Sequence, residues 1–272
     1  AKAMVESGAA DIVVAGGVES YSRRPLRLRT FSDGSPPQPY DQPPFSPWPT
    51  RDPDMTEAAD TLASTLGITA EAQNDWAIES HAKALRADAI PGEIIALDGQ
   101  DRDPFARKLT LPLTRRAKKV SGSITAANMA VAADAAAFCV IVSDRMRAQL
   151  RCDSIALLGG ATRGAAPENP GIAPLTAIKS ALSLTGKRIV DITCAEVMEA
   201  FAVQAIACVE GAGLDPAIVN IGGGALARGH PIGASGTINA VRLYHELRKT
   251  GGTGLATIAA AGGIATALIL AA

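Results

Sequence analysis

The segment from Asn220 to Gly236, NIGGGALARGHPIGASG, contains the histidine with the clearest capacity for chemistry in this sequence. Its glycines allow unusual backbone dihedrals and close backbone approach. Pro231 suits the first helical position, where its missing N–H costs nothing, so we expect His230 at or just before a helix amino terminus. The positive end of a helix disfavours an imidazolium, and a neutral imidazole can accept a proton from a nucleophile.

Two other interpretations of this segment stay open on spacing alone. A glycine-rich loop can cradle a phosphate, but Gly224 to His230 ends without Lys-Ser or Lys-Thr, so it is not a P-loop. A single histidine without a visible partner is also compatible with a structural role. Spacing therefore makes His230 a candidate base and does not by itself separate catalysis from structure.

The sequence contains four cysteines, Cys139, Cys152, Cys194 and Cys208. They form no CxxC pair, and the three histidines share no metal-ligand spacing with them, so we expect no metal site. Buried reduced thiols are the expected state in a reducing cytoplasm. Cys194 follows a strand pattern and is interpreted as a core residue.

A second candidate for ligand binding is the basic cluster of Arg115, Arg116, Lys118 and Lys119. Guanidinium and ammonium groups in such a cluster suit a polyphosphate. A solvated basic loop explains the same residues equally well, and the sequence pattern does not choose between the two.

Strand and helix patterns alternate around these residues. Short apolar, β-branched runs predict buried strands at 11–15, ending in Gly16-Gly17, and at 135–143. Helical spacing covers 56–89, with an apolar stripe that includes Leu62, Leu66 and Leu85. The second half predicts strands at 155–158, 189–193, 217–221, 254–259 and 265–270, and helices at 176–184, 200–211 and 231–249. This alternation indicates an α/β protein with a largely parallel, helix-covered sheet.

Composition excludes several classes of function. The 272 residues are 47% hydrophobic but only 4% aromatic, and the formal net charge is −1. Such a charge gives no general attraction to nucleic acid or to an anionic membrane. No apolar run is long enough for a membrane span, and no signal peptide is visible, so we expect a cytoplasmic protein. The chain opens inside a helical pattern without an initiator Met, which suggests that upstream residues lie outside it.

Six blocks in this sequence resemble motifs of the thiolase family, the enzymes that make or cleave 3-ketoacyl-CoA. In chain order they are AADIVVAGGVESYSRRP, ITAEAQNDWAIESHAKA, GSITAAN, VMEAFAVQA, VNIGGGALARGHPIGASG and GLATIAAAGGIATALIL. The resemblance implies a five-layer αβαβα sandwich of two βαβαβαββ halves, the first incomplete and carrying an inserted loop domain. It places the amino-terminal half at 1–20 and 121–153, the insertion at 21–120, and the carboxy-terminal half at 154–272.

The same resemblance assigns roles position by position, and several positions depart from the family. His230 matches the family's catalytic histidine. Met198 stands where the family has the NEAF asparagine that holds a water in an oxyanion site, and Ala259 stands where it has a second, acid/base cysteine. Ala130 replaces a serine that touches CoA, and Asp54 replaces a loop histidine. The nucleophilic cysteine is expected upstream of Ala1.

The resemblance also suggests further positions that contact CoA or substrate, namely Arg115, Ala200, Phe201, Gly262 and Gly263. No cofactor is implied, and a coenzyme A thioester is expected as substrate or ligand. The expected partners are acyl-CoA and a second copy in a homodimer or homotetramer, or a related chain, with no nucleic acid and no membrane span.

Three functions remain compatible with these residues. One is an acetyl-CoA acetyltransferase-type acyltransferase of lipid metabolism, impaired in Claisen condensation and thiolysis. Another is a non-catalytic subunit that binds acyl-CoA or a partner. The last is a Cys-His acyltransferase or thioesterase that relies on an upstream cysteine.

Overall fold

The computed structural model describes all residues from 1 to 272. Nine α-helices are present: α1 Lys2–Glu6, α2 Met55–Leu66, α3 Ala70–Arg86, α4 Leu111–Arg115, α5 Asp144–Leu150, α6 Ala173–Thr185, α7 Ala202–Ala212, α8 Ala225–Arg228 and α9 Ser235–Thr250. Ten strands are present: β1 Ile12–Ser20, β2 Arg27–Arg29, β3 Gln38–Tyr40, β4 Lys119–Ser121, β5 Ile124–Thr125, β6 Asp134–Val142, β7 Ala156–Gly164, β8 Cys194–Val197, β9 Thr253–Ala260 and β10 Ile264–Ala271. None of the helices is both long and apolar enough to cross a membrane.

The main sheet has four strands in the order β7-β10-β9-β8. β10 pairs antiparallel with both β7 and β9, and only β8 and β9 run parallel. The expectation of a largely parallel sheet was therefore wrong. The short turn between Ala260 and Ile264 makes β9 and β10 a hairpin, and strands joined by so short a connection must be antiparallel.

Helices cover both faces of this sheet. One core cluster joins α6 and α7 to strand residues such as Ala195, Leu255 and Ile269, and a second joins Leu243 of α9 to Ala256 and Leu270 of the sheet. Alanine is common in the first cluster, where small side chains let the helices lie close to the strands. The sheet that carries the candidate site is thus rigidly held from two sides.

β1 and β6 form a separate antiparallel pair, with Ile12 opposite Val142 and Ser20 opposite Asp134. Both runs form strands as predicted, but neither is buried: exposed and partly exposed residues alternate along each of them. β1 also continues through Gly16-Gly17 to Ser20 instead of ending there. An apolar β-branched run predicts a strand, but whether that strand is buried depends on which other elements pack against it.

Several local predictions need correction. Residues 189–191 form a 3₁₀ turn in which the Asp191 carboxylate accepts from the Arg188 N–H, and the strand begins only at Cys194. Residues 216–218 form a second such turn, and only Val219 bridges to the sheet. Competing side-chain hydrogen bonds to backbone explain why apolar runs became turns.

The predicted helix at 56–89 is two helices, because Gly67 adopts a left-handed conformation (φ 69°) that ends α2 and Thr69 caps α3. Leu62 is buried as expected, but Leu66 and Leu85 are exposed. Residues 21–120 also contain the small strand pair β2-β3, and the pair β4-β5 spans the end of that range. The division of the chain at 21–120 and 154–272 stays a prediction.

Candidate active site

His230 is held by backbone contacts with the segment that precedes β6. Its N–H donates to the Val131 carbonyl (2.7 Å), and its carbonyl accepts from the Ala133 N–H (3.4 Å). α9 begins at Ser235, so the prediction that Pro231 is its first residue was wrong. The Pro231 carbonyl instead accepts from the N–H groups of Ala234 and Ser235, forming a turn ahead of the helix.

The His230 ring is neutral around pH 7. Burial lowers its pKa to about 4, and the nearby Glu19 carboxylate only partly opposes this effect. Nδ1 lies 2.7 Å from the Ser235 hydroxyl, which is also 3.0 Å from the Pro231 carbonyl. If the hydroxyl donates to Pro231, Nδ1 carries the proton and Nε2 is a base. If it donates to Nδ1, Nε2–H is a donor for a developing oxyanion.

Two glycines let the first half of the chain approach this turn. A Cβ on Gly17 would lie 2.0 Å from the Gly233 carbonyl, and one on Gly233 would lie 2.5 Å from the Val18 carbonyl. The Glu19 carboxylate accepts from the Gly233 N–H (3.1 Å). Residues 17–19 of β1 therefore lie directly against the loop that carries His230.

Met198 is 3% exposed and follows β8, with its N–H donating to the Thr257 carbonyl (3.0 Å). It lines a cavity of about 20 Å³ together with Ser235, the hydrogen-bond partner of His230. Ala259 lies two residues after Thr257 on β9, is partly buried and pairs with Ala265. The structure thus brings Met198 close to the His230 loop and places Ala259 on the adjoining strand.

Ala200 and Phe201 connect β8 to α7, and they meet the same segment that holds His230. The Ala200 carbonyl accepts from the Ala130 N–H (2.9 Å), and Phe201 bridges to Met129. Ala130 and Ala200 are therefore in direct contact, one residue away from the Val131 carbonyl that binds His230. These positions form a continuous wall of the site.

Gly262 and Gly263 form the turn between β9 and β10, both with positive φ (84° and 80°). A Cβ on Gly262 would lie 2.7 Å from the Phe45 carbonyl, and one on Gly263 would lie 2.5 Å from the Ala165 carbonyl. Ala165 also donates to the Gly263 carbonyl (2.6 Å). Only glycine fits this turn, because any side chain would meet backbone on either flank.

Neither of the two other sequence candidates, Arg115 and Asp54, makes a hydrogen bond to His230. Arg115 ends the five-residue α4, and it is exposed together with Arg116, Lys118 and Lys119. No carboxylate pairs with any of the four. Asp54 caps α2: its carboxylate accepts from the N–H of Thr56 (2.8 Å) and Glu57 (3.4 Å).

Glu199 is a site residue that sequence reasoning did not identify. It is 1% exposed, and its carboxylate accepts four hydrogen bonds. The donors are Trp76 Nε1 (3.0 Å), Ser80 Oγ (2.7 Å), Asn220 Nδ2 (2.8 Å) and the Leu226 N–H (3.2 Å). This carboxylate joins α3, the end of β8 and the glycine loop before His230. The only signal in sequence was a charged residue inside an apolar run.

A buried ionic cluster on the α9 side of the sheet was also missed. Arg242, 4% exposed at its side chain, pairs with Glu93 and lies 3.5 Å from Glu196 and 3.7 Å from Glu246. Burial is the main cause that raises the pKa of Glu196 to about 7, and Arg242 partly opposes it. The members come from three distant segments, so no local pattern could have predicted the cluster.

Cys194 belongs to the core, as its strand pattern indicated. It is 2% exposed, and burial raises its pKa to about 12. A thiol in this state is not a nucleophile at neutral pH.

Family models agree with this geometry over both parts of the chain. Residues 1–145 match the thiolase N-terminal domain, and residues 154–272 match the thiolase C-terminal domain. The chain is 33% identical over 279 residues to the Bacillus subtilis protein YhfS, provisionally named an acetyl-CoA C-acetyltransferase, covering 98% of this chain and 73% of that one. It is 32% identical over 293 residues to a Staphylococcus aureus protein provisionally named an acetyl-CoA acyltransferase, with the same coverage.

Solved structures show the same likeness. Human mitochondrial 3-ketoacyl-CoA thiolase in complex with CoA superposes with a TM-score of 0.88 at 29% identity, over 99% of this chain and 73% of that one. Bacillus anthracis acetyl-CoA acetyltransferase superposes with a TM-score of 0.87 at 28% identity, over 98% and 73% of the two chains. The predicted thiolase-like α/β fold class is thereby confirmed.

Proposed function

The chain belongs to the thiolase family, and on that premise we propose that it binds acyl-coenzyme A and supports acyl transfer of the acetyl-CoA acetyltransferase type. We further propose that Claisen condensation and its reverse, thiolysis, are strongly impaired. The observation that carries this proposal is the presence of Met198 and Ala259 at two positions of the site that keeps a neutral His230.

Met198 cannot replace an asparagine at an oxyanion site. A thioether is a weak acceptor and donates nothing, so it cannot orient a water toward a carbonyl oxygen. Met198 is also buried and fills its space with apolar surface. Loss of one oxyanion donor typically costs about 10² to 10³ in rate.

Ala259 removes the group that would deprotonate the incoming acetyl carbon. An alanine methyl carries no exchangeable proton, and loss of general-base assistance typically costs about 10² to 10⁴ in rate. Cys194 cannot take over this role, because it is buried in the core with its pKa raised to about 12. The two losses at one site predict carbon–carbon bond chemistry near background.

Acyl transfer to a nucleophile has simpler requirements. It needs a nucleophile, a base and a donor for the oxyanion. His230 supplies a neutral imidazole whose Nε2 can act as base or donor, according to the orientation of the Ser235 hydroxyl. This part of the family's machinery remains in the chain.

Binding of the CoA nucleotide is the most direct test of this proposal. Arg115 lies in an exposed basic cluster without internal carboxylate partners, as a phosphate-binding group would. Calorimetric titration with CoA should show saturable binding that Arg115→Ala weakens several-fold. Lys179→Ala, an exposed charge loss on α6, should leave it unchanged. Failure to bind CoA at millimolar concentration would refute the proposal.

We also propose self-association, or pairing with a related chain, through the β1-β6 pair. Val14, Val18, Phe138 and Val140 are 59–66% exposed and occupy alternate positions of the two strands. A contiguous apolar face of this kind usually marks an interaction surface. Sedimentation velocity should show a dimer or tetramer, and a monomer at micromolar concentration would contradict this.

A further inference from the structure

Arg228, two residues before His230, is fixed by three contacts. Its Nε donates to the Gly223 carbonyl (2.9 Å) and its Nη2 to the Gly222 carbonyl. Its Nη1 donates to the Asp103 carboxylate (2.8 Å), with the two side chains only 17% and 35% exposed. The glycine loop and a residue of the 88–110 segment therefore hold the same guanidinium.

Gly229 continues this arrangement on the next residue. Its φ of 96° is unfavourable for other residues, and a Cβ there would lie 2.9 Å from Phe105 Cδ2 and 3.0 Å from Ala133 Cβ. The Phe105 ring thus packs against the backbone of Gly229. Asp103 and Phe105 contact consecutive residues of the turn that leads into His230.

The segment carrying Asp103 and Phe105 is itself anchored to the rest of the molecule. The Arg107 N–H donates to His81 Nδ1 on α3 (3.3 Å), and Glu93 pairs with the buried Arg242 of α9. These anchors lie on both sides of residues 103–105 in the chain. Because the segment is anchored on both sides, it cannot move together with the turn. It therefore restricts movement of the turn that leads into His230.

We propose that Asp103 and Phe105 are positioning residues for His230, so that a segment outside the sheets keeps the imidazole in place and excludes water from it. When the Asp103 charge is removed, the mostly buried guanidinium of Arg228 loses its carboxylate partner. This loss favours movement of Arg228 outward, toward water. Truncation of Phe105 uncovers Gly229 directly. Either change loosens the turn without touching the imidazole. This inference rests on the role proposed above for His230.

The ionisation of His230 provides the test, because enclosure is the main cause of its low pKa. Glu19 of β1 is the charged group that faces His230, and Ser235 is the hydrogen-bond partner of His230. Neither Glu19 nor Ser235 is altered in the variants. In ¹⁵N-labelled protein the His230 ring should not titrate between pH 5.5 and 7.5. In Asp103→Asn and in Phe105→Leu it should titrate in that range, because its pKa should rise from about 4 by about 1.5 units or more toward the ordinary 6.5.

Three comparisons make the result decisive. Asp101→Asn, an exposed charge loss two residues from Asp103, should leave His230 unchanged, and Asp103→Glu should restore the wild-type titration. His245, on the far part of α9, should titrate alike in all the proteins. An unaltered His230 titration in folded Asp103→Asn would overturn the proposal, including when Phe105→Leu fails to fold. CoA titration of the same variants reports separately on the proposed function.

Discussion

The four-stranded sheet and the β1-β6 pair are built from similar residues but have different environments. Ile269 and Leu255 in the four-stranded sheet are fully buried, whereas Val14 and Val140 in the pair are more than 60% exposed. α6 covers one face of the larger sheet and α9 the other. The pair meets α9 as well, but Val18 and Phe138 on its outward face are also more than half exposed.

The difference shows that the burial of an apolar strand depends on the elements that pack against it, and not on its residue composition alone. In the larger sheet, side chains on both faces leave water on folding, and each contributes free energy in proportion to the apolar area buried. In the pair, alternate residues keep much of their area in water. The candidate site draws on both regions: Met198 follows β8 and Ala259 lies on β9, while residues 131–133, just before β6, hold His230.

The sharpest contrast should come from one substitution made in both regions. Ile269→Ala should lower the free energy of unfolding by about 2 to 5 kcal/mol, because it opens a cavity in a closed core. Ile12→Ala, at a site already 47% exposed, should cost about 1 kcal/mol or less. Urea unfolding followed by circular dichroism measures both. Equal costs would show that the two sheets do not differ in the way described.

A smaller effect should separate buried from exposed carboxylates. Glu199→Gln places an NH₂ group among four hydrogen-bond donors and should cost about 1 to 3 kcal/mol of stability. Glu168→Gln loses only an exposed pair with Arg51, which water screens, so it should leave stability almost unchanged. A Glu199→Gln protein as stable as Glu168→Gln would remove Glu199 from the structural account of the site.

The smallest effects should appear as opposite dependences on pH. His81 and His230 have pKa values lowered to about 4, so the unfolded chain binds more protons below pH 6.5. Their contribution to stability is present above that pH and is lost as the pH falls toward 4. Glu196 has its pKa raised to about 7, so its contribution is lost as the pH rises from about 4.5 to 7.

Thermal melting of two variants across this range tests the signs. His81→Gln should reduce the loss of stability between pH 6.5 and 4, relative to wild type. Glu196→Gln should gain stability relative to wild type between pH 5 and 8. Parallel curves for the wild type and Glu196→Gln would mean that Glu196 is not a buried acid with a raised pKa.

Sequence reasoning predicted the features that local pattern encodes. β9 and β10 lie close to their predicted bounds, and the family blocks led to the right fold class. The strands at 189–193 and 217–221 were wrong because Asp191 and Asp215 form local hydrogen bonds that compete with sheet pairing. The start of α9 was misplaced because proline also fits the turn that precedes the helix.

In the candidate site, too, some residues could be predicted from the sequence and others could not. His230, Met198 and Ala259 were identified from motif positions, and their assigned roles stay predictions. Glu199 and the Arg242 cluster were not identified, because Asn220 is 21 residues from Glu199, and because Glu93 and Glu196 reach Arg242 only through folding. Contacts of this kind leave no trace in periodicity or spacing.

The central claim is that Met198 and Ala259 deprive the site of Claisen chemistry while His230 remains. The direct measurement is thiolysis of acetoacetyl-CoA by the protein as its gene encodes it, beside the Met198→Asn, Ala259→Cys double variant and that variant carrying His230→Ala. We predict a rate near background for the unmutated protein, a gain of about 10² or more in the double variant, and loss of that gain without His230. Ordinary thiolase rates in the unmutated protein, with no gain in the double variant, would contradict the account.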